Sequence, residues 1–73
     1  MRVRVETYSG YKADERPVRF HMGDSVYEVE SVDDQWYSPG ASWFRVKASD
    51  GNIYILRHDS GHVWTVQSFR SVA

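Results

Sequence analysis

The chain contains no cysteine, so neither a disulfide framework nor a thiolate metal centre is open to it, and this fits a reducing, cytoplasmic compartment. It has no long apolar run. Nothing approaches the ~20 residues of a membrane span, and Met1 to Tyr8 alternate polar and apolar residues, unlike the continuous apolar stretch of a secretory signal. Charge of one sign is not in excess either. Nine Lys and Arg against ten Asp and Glu leave a net charge of -1, so no overall basic field draws in nucleic acid. Helical periodicity, internal repeats and low-complexity linkers are also missing. With 73 residues the chain has material for one domain over 1–73, because a chain this short buries only about 60 to 65% of its unfolded surface.

What the chain does have is aromatic side chains, three Trp, five Tyr and three Phe, each able to remove roughly 150 to 250 Å² from water. They sit in period-two runs broken by Gly, Pro and Asp, the pattern of strands and turns. The expected fold is therefore all-β: a small antiparallel curled sheet or barrel of about five to six strands, SH3-like in size.

The first strand is expected at Val3 to Tyr8, with Val3, Val5 and Thr7 on one face. A charged loop around Lys12 to Arg16 ends at Pro17, where the second strand begins. Gly23-Asp24 suits a two-residue type II′ turn, which pairs Phe20 with Tyr27 and Val18 with Val29 on one face and Arg19 with Glu28 on the other. The two faces come out apolar and ionic. The alternation slips between Val29 and Val32, which predicts a bulge in the third strand. Ser38-Pro39-Gly40 reads as a type II turn before a fourth strand over Trp43 to Ser49.

Asp50-Gly51 is a type I′ hairpin signal that pairs Ala48 with Ile53, Val46 with Ile55 and Phe44 with Arg57 as the core face. The opposite face then carries Trp43, Arg45, Lys47, Tyr54, Leu56 and His58, a mixture of aromatic and basic groups. For the last turn, three loop residues suit Gly61 in a bulge, whereas four place Val66 beside Ile55 and Trp64 beside Arg57. The second register keeps the core face apolar and lets Arg57 stack on Trp64, and it is preferred, with a sixth strand over Val63 to Phe69 and a frayed tail.

Chemistry-bearing residues are sparse. Asp59, Ser60 and His62 are triad types, but neighbours in one tight turn cannot activate a nucleophile and also supply an oxyanion hole. Asp33 and Asp34 are adjacent on a strand and point to opposite faces, and Glu28 is expected to pair with Arg19. His58 and His62 oppose each other only in the three-residue register and have no evident third ligand, so no metal, no cofactor and no enzymatic activity are expected.

The run from Val18 to Trp64 resembles a family of short bacterial all-β proteins of unknown function. The shared residues are Val26-Tyr27-Glu28-Val29, Trp36, Trp43-Phe44-Arg45-Val46, Asp50-Gly51 and Trp64. The resemblance implies the fold and a bacterial origin; its motifs are strand and hairpin positions, and it carries no activity across. The functional expectation rests on the face of Trp43, Arg45, Lys47, Tyr54 and Leu56: a non-enzymatic module that binds a protein partner or its own copy as a homodimer. The alternative is single-stranded nucleic acid, stacked on aromatics with cations along its phosphates.

Overall fold

The computed structural model describes residues 1–8 and 16–70. Six strands follow in order: β1 (Arg2–Tyr8), β2 (Arg16–Met22), β3 (Ser25–Ser38), β4 (Ala41–Ala48), β5 (Ile53–Asp59) and β6 (Trp64–Arg70). Each pairs antiparallel with the next, and β1 meets β6 to close a barrel. That closing seam is short, with only Arg2 opposite Thr65 and Val3 opposite Trp64, extended by the Val66 amide donating to the Met1 carbonyl (2.8 Å). The expected loop between Ser9 and Glu15, and the tail after Arg70, lie outside the described residues. Among the described residues no helix is long and apolar enough to cross a membrane.

Two of the turns form as their residues dictate. Gly23 has φ +62° between the paired Met22 and Ser25, and Phe20 faces Tyr27 while Arg19 faces Glu28. Gly40 has φ +80° at the third position of the turn that joins Ser38 to Ala41. The slip in β3 is also present. Pairing jumps between Val29 and Ser31, and again between Val32 and Asp34, and this bends the 14-residue strand from one side of the barrel to the other.

Val18, expected opposite Val29 in the core, is 39% exposed. The reason is an irregularity between β1 and β2: Glu6 pairs with Arg19, but Thr7 pairs with Pro17, so the chain skips Val18 and turns Pro17 inward. Proline suits that position because it has no amide hydrogen to leave unsatisfied where the ladder is interrupted.

The β4–β5 register departs from expectation by one residue, and this reverses both faces of β5. A type I′ turn needs positive φ at Asp50 and Gly51, whereas only Gly51 adopts it, at +83°. The Gly51 amide donates to the Ala48 carbonyl (2.9 Å) and the Ala48 amide donates to the Asn52 carbonyl (3.0 Å), enclosing a three-residue loop with Gly51 as the bulge. Asp50 holds this shape by accepting from the Asn52 amide at 3.0 Å. Lys47 therefore faces Ile53, Val46 faces Tyr54, and Phe44 faces Leu56. Tyr54 and Leu56 enter the core, while Ile53, Ile55 and Arg57 point outward.

The core consists of Val3, Phe20, Phe44, Val46, Ala48, Tyr54, Leu56 and Trp64. Its rings pack edge to face or tilted: Phe20 lies 5.0 Å from Tyr54, and Phe44 lies 5.5 Å from Trp64. Such pairs add about 0.5 to 1.5 kcal/mol each beyond the area they bury. The Tyr54 hydroxyl emerges at the barrel end and donates to Asp50, which ties the core to the turn that set its register. Burial and this bond push the Tyr54 phenol up to about 12. Slight burial raises the Asp50 carboxyl, but the hydrogen bonds from Tyr54 and Asn52 outweigh it and hold the group below the usual carboxylate range.

Candidate interaction face

The outer surface of the barrel divides into two unlike halves. On β1, β2 and β3 four charged or titratable groups, Glu6, Arg19, His21 and Glu28, are paired with one another. Arg19 bridges Glu28 (2.7 Å) and Glu6 (3.1 Å), and Glu6 also accepts from His21 (2.7 Å). The His21 hydrogen bond is the main cause holding the Glu6 carboxyl low; slight burial opposes it and Arg19 reinforces it. This ladder is solvated and satisfied.

The other half, the outside of β3 to β6, is built differently. Trp36 and Trp43 are cross-strand partners with nearly parallel rings, 6.0 Å apart at 9°. Arg57, the partner of Trp43 on the other side, places its guanidinium 5.7 Å from the indole centroid. Trp43 thus lies between an indole and a cation. Its Nε1 donates to the Ser38 hydroxyl (2.8 Å), so the ring is fixed as well as stacked. Trp36 remains 37% exposed.

Below this stack the face turns aliphatic and basic. Asp33, Arg45, Ile53, Ile55, Ser68 and Arg70 line a groove of about 400 Å³. Among the described residues Arg45, Lys47 and Arg70 form no ion pair. The nearby acids are engaged locally instead, Asp33 accepting from Ser31 (2.7 Å) and Asp34 from the Gln35 amide (2.9 Å).

Of the five residues expected to make up the interaction site, the structure brings together Trp43, Arg45 and Lys47. Tyr54 and Leu56 are core residues, 2% and 0% exposed, because the three-residue turn shifts β5 by one position. Ile53, Ile55 and Arg57 take their places, and Trp36 joins from β3. The sequence held a signal for Trp36, since the slip in β3 decides which strand face meets Trp43, but it did not fix the number of bulges.

The last hairpin also differs from expectation. Its loop has three residues, Ser60 to His62, closed by His62 N–H to the Asp59 carbonyl (3.0 Å) and Asp59 N–H to the Val63 carbonyl (3.0 Å). The residue with positive φ is His62, at 63°, and not Gly61. Arg57 consequently pairs with Thr65, and it is His58 that stacks on Trp64, at 4.2 Å and 4°. His58 and His62 are brought together, with ring centroids 5.7 Å apart. Among the described residues no group of three or more His, Cys, Asp or Glu side chains is placed to hold a metal.

No protein-family model matches the chain, and neither a curated protein nor a solved structure does.

Proposed function

We propose that this domain is a non-enzymatic interaction module that docks a protein segment onto the outer face of β3 to β6. The observation that carries the reading is the stack of Trp36, Trp43 and Arg57 on the outside of a closed barrel whose interior is already filled by other rings. Two indoles are not needed there for the core, and Trp and Arg are the residue types most enriched at binding hot spots. The aliphatic groove beside them, lined by Arg45 and Arg70 with one acid, Asp33, that is bonded to Ser31, and neighboured by Lys47 opposite Ile53, favours a partner segment with apolar and acidic side chains. The absence of cysteine supports a cytoplasmic setting for that encounter.

Single-stranded nucleic acid is the second reading, favoured by Arg45, Lys47 and Arg70, which form no ion pair among the described residues. Against it, both faces of Trp43 are already covered, so that within this stack the outer side of Trp36 is what remains for a base.

Affinity capture from a native extract with the wild type and with Arg45→Glu/Lys47→Glu tests the face. Loss of bound proteins from the double variant supports the reading; retention of the same proteins rejects it. Light scattering on the wild type and Trp43→Ala shows whether the partner is a second copy. Oligonucleotide binding that weakens steeply with salt would replace the protein reading.

A further inference from the structure

The barrel closes on a seam only two residue pairs long, and β1 then runs on past the start of β6 beside the β5–β6 turn. A cleft of about 480 Å³ opens there, lined by Arg2 and Arg4 from β1, by His58 and His62 from the hairpin, and by Val63 and Trp64. We propose that this cleft is a binding site for a phosphoryl group, held by the two guanidiniums and the two imidazoles.

Four observations carry the assignment. First, among the described residues no carboxylate lines the cleft. The acids on the adjoining segments are occupied: Glu6 of β1 by Arg19 and His21, and Asp59 of the hairpin by the amides of Gly61 (2.9 Å) and Val63 (3.0 Å). Second, the polar side chains of the lining are donors suited to an oxyanion; Arg4 contacts the His21 ring through one Nη (3.3 Å), and its other N–H groups remain for a ligand. Arg presents a planar fork, and an imidazole offers an N–H in either tautomer. In a chain of net charge -1 such a local excess is a feature of the site and not of the whole surface.

Third, His62 occupies a backbone position that glycine fills at lower cost. The β4–β5 turn has the same hydrogen-bond plan, and there the residue with positive φ is Gly51. Here a strained histidine takes that position, and its side chain lines the cleft. Fourth, the aromatic surface at the site is spent. His58 and Trp64 stack on each other, and Trp64 is 7% exposed, so the indole offers no open face to a nucleobase. The ligand is therefore inorganic phosphate or the phosphoryl end of a small phosphomonoester, for which a volume of this size is sufficient.

The test is an amide NMR titration of the full chain with inorganic phosphate and with ribose 5-phosphate, against chloride at matched ionic strength. Saturable shifts confined to Arg2 to Val5 and His58 to Trp64 are expected. Tighter binding of ribose 5-phosphate identifies a phosphomonoester, and equal or weaker binding the free anion. Arg2→Ala/Arg4→Ala should weaken binding about tenfold or more, since it removes two charge-assisted donors. His62→Gly should weaken it while leaving the amide resonances of Phe20 and Leu56 in place. Arg2→Ala alone, at an exposed position, repeats the test if the double variant does not fold. Shifts that chloride reproduces, shifts centred on Arg45 and Arg70, or unchanged affinity in the folded variants would overturn the site.

Discussion

The β4–β5 and β5–β6 turns share one backbone plan and differ in what fills it. Each is a three-residue loop whose third residue has positive φ, Gly51 in the first and His62 in the second. Each is steadied by an aspartate, Asp50 accepting from Asn52, and Asp59 from Gly61 and Val63. At the first turn every choice serves stability, with glycine at the left-handed position and a core tyrosine bonded to the aspartate. At the second a histidine bears the strain. Gly61 serves another need, because a Cβ there would stand 3.3 Å from the Asp59 carboxylate. The difference teaches that one turn is optimised for register and the other carries a side chain the fold does not require.

The register claim is the easiest to break. If the first turn encloses three residues, Leu56→Ala should cost about 2 to 5 kcal/mol. Ile55→Ala, on the outer face, should cost roughly 1 kcal/mol or less. Urea unfolding of both variants measures this, and the reverse ranking would restore the two-residue turn and place Ile55 inside.

Tyr54 sharpens the same comparison through pH. Its folded pKa is raised, so the stabilisation it contributes is complete below the unfolded value of 10.0 and is lost as pH rises towards about 12. By linkage the loss across that window is roughly 2 to 3 kcal/mol. Tyr54→Phe should abolish this alkaline phase while costing about 1 kcal/mol near neutrality, where Asp50 loses a donor. An unchanged alkaline transition in Tyr54→Phe would mean that other groups cause it.

Much of the fold was legible because turns with glycine at a required φ leave few alternatives. Gly23 and Gly40 specified their hairpins, and the pairings of Phe20 with Tyr27 and Arg19 with Glu28 follow. Asp50-Gly51 was legible as a turn but not as a loop length, since the dipeptide fits both a two-residue turn and a three-residue loop with a glycine bulge. That one-residue ambiguity decided the candidate face, because it exchanges Tyr54 and Leu56 for Ile53, Ile55 and Arg57. His62 was not legible in its role at all. With glycine beside it, a three-residue loop reads as giving the positive φ to Gly61, whereas in the structure a Cβ at Gly61 would instead crowd the Asp59 carboxylate at 3.3 Å.

The smallest expected effect is the most direct comparison of the two turns. At Gly51 an added Cβ meets nothing within 4 Å, so Gly51→Ala isolates the backbone term and should cost about 1 to 2 kcal/mol. His62→Gly removes a similar strain but gives the unfolded chain more freedom, a penalty of about 0.4 to 1 kcal/mol. The balance is a net gain of roughly 0.5 to 1 kcal/mol, read as a rise in the urea midpoint at constant slope. A protein that becomes more stable when His62 is removed retains that histidine for something other than folding. If His62→Gly is instead destabilising, the imidazole stabilises the turn through its packing with His58, and the two turns are alike in purpose as well as in shape.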